Sequence, residues 1–326
     1  MLLSVIAPCY NEELVLQTTY ERLTKVLAGM PEFNYEIVFV NDGSHDQTQE
    51  ILTSIQLGDP CVRVLRLSRY FGHQIAVTAG LEEAVGDAVV IIDADLQDPP
   101  EMIPEMIHRW REGNHVVYGV RAEREGESRF KLWTAKVFYR IINRLSDTKI
   151  PVDAGDFRLL DRKVVEVLKA MPERARFLRG MVSWAGFRQS SVTYQRAARH
   201  AGESKYPLGK MISFALDGII SFSLVPLKIA IWTGFLAIWG AVAGIVVAIV
   251  DWILDKGIIR GWASLFVAVL FMGGIQLVSL GIIGEYLGRI YTEVKRRPLY
   301  AVEERLGFSD GNTKEKVVKA RVNVGV

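Results

Sequence analysis

Two runs near the carboxyl end constrain this chain more than any other feature: residues 229–250 (IAIWTGFLAIWGAVAGIVVAIV) and 261–284 (GWASLFVAVLFMGGIQLVSLGIIG) carry no charged side chain. A bilayer's hydrocarbon core, about 30 Å thick, is crossed by roughly 20 helical residues at about 1.5 Å each. Each run therefore predicts a membrane-spanning helix, and together they predict a hairpin over 228–288. Trp232, Trp239, Trp252 and Trp262 lie in or beside the spans, and an indole at headgroup level anchors a helix. Lys210 and Lys228 precede the first run, and Arg289, Lys295, Arg296 and Arg297 follow the second. The positive-inside rule then places both flanks on the cytosolic face of a bacterial-type inner or plasma membrane. Residues 208–227 are apolar but interrupted by Lys210 and Asp217, which suits an amphipathic helix lying in the interface. Residues 289–326 are expected to be a cytosolic tail, loosely structured from Ser309 onward. Gly240 with Gly244, and Gly284 with Gly288, put small residues four apart, a spacing that lets helices approach closely and predicts a homo-oligomer.

Residues 1–207 read differently. Leu3 to Ala7, Glu36 to Val40, Val62 to Leu67, Ala88 to Ile92 and Val116 to Val120 are short apolar runs rich in β-branched residues, and they predict buried strands. Between the first four, Glu13 to Ala28, Thr48 to Leu57 and Gln74 to Ala84 have helical spacing with polar faces. This alternation predicts an α/β domain, a mainly parallel sheet flanked by helices, with ligands bound beyond the carboxyl ends of the strands. The opening residues, Met1 to Pro8, form a strand and not a basic and apolar leader, so the amino terminus is expected in the cytosol. Lys plus Arg number 39 against 37 Asp plus Glu, so no global field draws nucleic acid, and an acidic ligand has to be caught locally. Cys9 and Cys61 read as free cytosolic thiols. Neither G-x-G-x-x-G after the first strand nor G-x-x-x-x-G-K-[ST] occurs, which removes the usual glycine-rich phosphate loops. His45, His73, His108, His115 and His200 form no zinc spacing and are expected in surface or packing roles.

The polar residues fall at the strand ends. After Ala88 to Ile92 come Asp93, Ala94, Asp95, Leu96, Gln97 and Asp98, three carboxylates and an amide in six positions. Hard cations such as Mg²⁺ or Mn²⁺ take oxygen ligands, often one or two carboxylates with substrate phosphates. Asp95 and Gln97 project to one side of an extended segment and are assigned to the metal, Asp93 to the nucleotide side; Asp98 and Pro99 also fit the start of the next helix. Pro8-Cys9-Tyr10-Asn11-Glu12 follows the first strand and Asn41-Asp42-Gly43-Ser44 the second. There Asp42 can accept the N–H of a uracil, Tyr10 can stack or hydrogen-bond, and Gly43 gives the backbone room to turn.

Pro8-x-Tyr10-Asn11-Glu12, Asn41-Asp42-Gly43-Ser44 and Asp93-Ala94-Asp95, in that order, resemble the inverting family 2 glycosyltransferases of the GT-A (Rossmann-like) fold. The resemblance continues through Leu96-Gln97-Asp98-Pro99-Pro100, Asp153-Ala154-Gly155-Asp156-Phe157-Arg158-Leu159 and the two apolar runs, over about the first 300 residues. The whole pattern is similar to the polyisoprenyl-phosphate glycosyltransferases of the dolichol-phosphate mannose synthase-like superfamily, the bactoprenol glucosyltransferase type above all. It implies a UDP-sugar donor, UDP-glucose first, with Pro8, Tyr10, Glu12, Asp42 and Asp93 on the nucleotide sugar. It also implies a polyprenyl monophosphate acceptor such as undecaprenyl phosphate, a metal on Asp95 and Gln97, and Asp156 beside the reacting sugar. Asp95 and Asp156 are then the catalytic carboxylates. The acceptor phosphate needs cations, for which Arg121, Arg129, Lys131 and Lys205 stand ready; Arg124, Arg196 and Arg199 lie in the same stretches. Two other readings stand against this one: a processive polysaccharide synthase, opposed by only two spans and no Q-x-x-R-W, and a catalytically silent nucleotide-binding membrane scaffold.

Overall fold

Strands that are apolar on both faces have to lie inside a sheet covered on both sides. In β1 (Leu2–Cys9) every residue from Leu3 on is buried, and in β2 (Asn34–Asn41) every residue from Glu36 on. The computed structural model describes residues 1–121, 154–195, 225–253 and 262–308. They divide into two units, one holding 1–121, 154–195 and 298–308, the other 225–253 and 262–297.

The first unit is built on an eight-stranded sheet that adds β3 (Val62–Leu67), β4 (Ala88–Ile91), β5 (Val116–Arg121), β6 (Ala154–Asp161), β7 (Gln189–Tyr194) and β8 (Val302–Leu306). The order is β7-β5-β6-β4-β1-β2-β3-β8. The run from β4 through β1 and β2 to β3 is parallel, with Cys9 opposite Asn41. β6 runs antiparallel between β4 and β5, and β8 antiparallel along β3. Helices α1 (Leu16–Ala28), α2 (Thr48–Gly58), α3 (His73–Glu83), α4 (Ile103–Arg111), α5 (Arg162–Ala170) and α6 (Leu178–Trp184) join the strands. The expected mainly parallel sheet flanked by helices is the fold found.

Local differences have local causes. α1 starts at Leu16 and not at Glu13; the residues before it form a turn in which the N–H groups of Val15 and Leu16 share the Glu12 carbonyl. β8 lies in the stretch read as a tail: its sequence, VEERL, is too charged to signal a strand. An edge strand needs only a backbone partner, and β3 presents an open edge. Arg66 with Glu303 (3.1 Å) adds an ion pair to that pairing, and Arg305 with Glu83 (3.0 Å) ties β8 to the end of α3.

The second unit contains α7 (Val225–Ile253) and α8 (Trp262–Val294). Leu227–Val246 and Ala268–Val294 are long and apolar enough to cross a membrane. A soluble core helix of this length would be buried, but Trp232, Leu236, Trp239 and Leu277 are exposed, as lipid-facing side chains would be.

Candidate active site

The loops that follow β1 and β2 are knitted into one shelf. Asn11 N–H donates to Ser44 Oγ (3.0 Å), His45 N–H to Asn11 Oδ1 (2.9 Å) and Glu12 N–H to Thr48 Oγ1 (3.0 Å). The left-handed backbone at Asn11, φ 55°, suits an asparagine. Pro8 is buried within β1 opposite Val40, whereas Tyr10 is exposed and its ring lies 4.5 Å from that of exposed Tyr70, tilted by 49°. Asp42 is buried, and its two oxygens accept the N–H groups of Phe71 (2.7 Å) and Gly72 (2.8 Å). Burial pushes its carboxyl above the ordinary value while these two donors pull it back. The residue expected to read a uracil thus also holds the loop after β3 in place.

Gly43 is required at this junction. Its φ is 70°, and a Cβ there would lie 2.3 Å from the carbonyl carbon of Arg69. Gly43→Ala is expected to lower stability by about 2 kcal/mol or more, since a strained left-handed residue alone costs about 1–2 kcal/mol. Chemical denaturation would show this as a lower midpoint at unchanged slope.

After β4, Asp93 Oδ1 meets His73 Nε2 at 2.7 Å. His73 is the first residue of α3, directly past the β3 loop, and beyond the expected surface or packing role its ring is paired with Asp93. Burial works against an imidazolium, but Asp93 above all, with Asp156 behind it, outweighs that and raises its pKa to about 9; Arg179 opposes. A raised folded pKa contributes stability that is fully present below about pH 6.5, the unfolded value, and lost as pH rises through about 9. The stability difference between wild type and His73→Gln should therefore shrink in melts between pH 7 and 10. A difference that stays constant over that range would show the ring to be uncharged. With 38% of the His73 side chain exposed, solvent screens part of the effect.

Asp95 Oδ1 accepts the Gln97 N–H (3.1 Å), closing a turn around Leu96 at φ 61°. Asp98, just ahead of the following helix, is buried and accepts the Tyr194 hydroxyl. Among the described residues, no three His, Cys, Asp or Glu side chains come together as a complete metal cage. Asp95 and Gln97 offer oxygen donors only, which fits a hard divalent ion that completes its shell with diphosphate and water.

β6 enters the same edge with Asp156, whose Oδ1 and Oδ2 take Arg179 Nε and Nη2, each at 2.9 Å. Arg158, 4% exposed, donates Nη2 to the Gly155 carbonyl at 2.9 Å and approaches Asp156 Oδ1 at 3.5 Å. Burial resists the charge on Asp156, yet Arg179 and then Arg158 hold its carboxyl well below the usual carboxylate range. Burial in turn brings Arg158 down to about 10. Gln74 Oε1 accepts the Leu178 N–H (3.1 Å), so the start of α3 is pinned to the start of α6, which carries Arg179. The result is two carboxylates, Asp93 and Asp156, each countered by a cation from a helix start. Such a surface can hold polar hydroxyls in fixed orientations, and its ionised Asp156 is a poor proton acceptor.

Arg121 is the last residue of β5, opposite Tyr194 of β7. Arg129, Lys131 and Lys205 lie outside the described residues, as do Arg124, Arg196, Arg199 and 208–224 of the expected interfacial helix. Arg179 escaped the sequence reading because nothing in its local sequence marks it. His73 had a signal, its place just beyond a strand's carboxyl end.

A family model described as glycosyl transferase family 2 matches residues 4–169. An uncharacterized glycosyltransferase of Bacillus subtilis, YkcC, is 50% identical over 307 residues, covering 94% of this chain and 95% of its own. A prophage bactoprenol glucosyl transferase homolog of Escherichia coli is 42% identical over 305 residues, 93% of this chain and 99% of the other. Among solved structures, glucosyl-3-phosphoglycerate synthase from Mycobacterium tuberculosis, in complex with Mn²⁺, UDP-glucose and phosphoglyceric acid, matches with a TM-score of 0.44 at 19% identity, covering 67% of this chain and 77% of that one.

Proposed function

The chain belongs to glycosyl transferase family 2 and is a glycosyltransferase, and we propose that it moves a hexose, glucose first, from UDP-glucose to a polyprenyl monophosphate such as undecaprenyl phosphate at the cytosolic face of a membrane. The observation that carries this reading is the bidentate Asp156–Arg179 pair. It keeps the carboxylate beside the reacting sugar ionised and unsuited to taking a proton. A sugar-alcohol acceptor would call for such a base, whereas a phosphate monoester, with a second pKa of about 6, is already largely dianionic at neutral pH. The exposed apolar helices α7 and α8 and the bactoprenol glucosyl transferase name of a relative support a lipid-borne acceptor.

In this reading an acceptor phosphate oxygen attacks the anomeric carbon in line. The new C–O bond forms as the bond to UDP breaks, the electron pair leaves on the UDP β-phosphate, and the configuration inverts. Asp42 and Tyr10 hold the nucleotide end, with Glu12 in the same shelf and Pro8 setting the strand beneath it. Asp93, fixed by His73, and Asp156, fixed by Arg179, accept sugar hydroxyls and orient C1. Asp95 and Gln97 would hold Mg²⁺ or Mn²⁺, which when bound supplies positive charge to the departing diphosphate. Arg121, Arg129, Lys131 and Lys205 are the cations proposed for the acceptor phosphate.

In this reading residues 1–207 are the cytosolic catalytic part, the expected interfacial segment 208–227 gives way to helix from Val225, the expected hairpin 228–288 extends to Val294 with α8, and β8 returns from 289–326 to the catalytic sheet. Its test is incubation of the purified protein in detergent with undecaprenyl phosphate and a panel of labelled UDP-sugars. Label from one donor should appear in the lipid. Metal-dependent UDP-sugar binding with no labelled lipid would replace this reading with the silent scaffold. The small-residue seams predict a homo-oligomer, so the mass in mild detergent should be a multiple of 36.6 kDa; a single monomeric mass would overturn that expectation.

A further inference from the structure

We propose that β8, the strand that follows the second apolar helix, positions the nucleotide-facing turns through Glu304, Gln49 and Asn41. The inference rests on the reading of those turns as the UDP-sugar site. Glu304 Oε2 accepts from Gln49 Nε2 (3.0 Å), and Gln49 Oε1 accepts from Asn41 Nδ2 (2.8 Å). Asn41 Oδ1 then accepts the Ser44 N–H (2.9 Å), and Ser44 Oγ the Asn11 N–H (3.0 Å). Five residues from four segments thus form one continuous hydrogen-bonded chain, from the outer strand of the sheet to the turn after β1.

The chain has little freedom to rearrange. Asn41 is 0% exposed and Gln49 8%, so each amide lacks water as a substitute partner. Each also uses its oxygen and its nitrogen, which fixes the orientation of both. The two turns at its far end contain left-handed residues, Asn11 at φ 55° and Gly43 at φ 70°. Such backbone persists only where its surroundings dictate it.

β8 has a second hold on the same shelf. The Ala301 carbonyl accepts the Ser68 N–H (2.9 Å) where the β3 loop begins, and that loop's Phe71 and Gly72 amides grip Asp42. Tyr300 Oη donates to Glu82 Oε2 (2.6 Å) and anchors the strand's approach to α3. Glu304, Gln49 and Asn41 are positioning residues, since their effect passes through Ser44 and Asn11. Their loss should weaken the donor's hold and leave the chemical step almost unchanged.

A charge swap tests this in the full-length protein. Gln49→Glu sets two carboxylates against each other, whereas Gln49→Glu with Glu304→Gln rebuilds the chain with its outer bond reversed. The single Gln49→Glu variant should raise Kd for UDP and KM for the UDP-sugar by up to about tenfold, the cost of one part-buried hydrogen bond replaced by facing carboxylates, with kcat within about twofold. The double variant should return both constants to within about twofold of wild type. Glu304→Leu, at an exposed position that leaves the β3 pairing intact, should raise KM in the same direction. Unchanged UDP affinity in both single variants, or a double variant no better than Gln49→Glu, overturns the proposal. Failure of the wild type itself to bind UDP would instead strike the donor-site reading on which it rests.

Discussion

Asp156→Asn should lower sugar transfer by a hundredfold to about a thousandfold while UDP affinity changes by no more than a few fold. The amide keeps the size of the side chain but not its charge, so Arg179 loses a bidentate partner and Arg158 loses the charge 3.5 Å away. Removing one preorganised polar group from an active site costs about 10² to 10³ in rate, and a misplacement of about 1 Å costs a similar factor. Either Asp156→Asn or Asp156→Ala also carries a folding cost of about 3 kcal/mol, because Arg158 is left buried without a compensating charge. The pH profile separates positioning from proton abstraction. Arg179 holds the Asp156 carboxyl far down, and a depressed folded pKa keeps the carboxylate charged until the pH falls below the ordinary carboxylate range. Wild-type kcat should therefore show no acid limb near pH 4 to 5 that disappears in Asp156→Asn. Such a limb, removed by that substitution, would make Asp156 a base and reopen the case for a hydroxyl acceptor.

Chelation should stop transfer almost completely, and addition of Mg²⁺ or Mn²⁺ should restore it. The departing group is a diphosphate, and neutralising its developing charge is worth several kcal/mol, about a thousandfold or more in rate. Asp95→Ala should reproduce that loss in the presence of metal, because it removes an oxygen donor and also the acceptor of the Gln97 N–H that shapes the turn. Asp95→Asn keeps the turn's acceptor and removes only the charge, so its remaining deficit measures the ion. Full activity in chelator, with Asp95→Ala still impaired, would assign the segment 93–98 to sugar contact and not to metal.

Much of the fold was legible because its signals are local. Five strands written as short runs rich in β-branched residues, three helices with polar faces between the first four, and two uncharged runs long enough for a bilayer each carry their evidence within about 30 residues. β6 and β8 were not legible: β6 lies in a motif read for its carboxylates, and β8 has three charged residues in five. Both are strands because a neighbouring edge offered hydrogen bonds, a property of the partner and not of their own side chains.

The site divides in the same way. From the sequence came a candidate location at the strand ends and the candidate carboxylates Asp42, Asp93 and Asp95, which depend on residue order, while Asp156 and the transferase family came through the resemblance of its motifs. Only the tertiary structure decided that Asp93 is matched with His73, that Asp156 is gripped by Arg179, that Asp98 faces Tyr194, and that Glu304 reaches Asn41 through Gln49. Those partners lie between 8 and 255 positions apart in the chain, so no local pattern encodes them. What a carboxylate can do is set by the charges and donors packed within a few ångströms of it, and those neighbours exist only once the chain has folded.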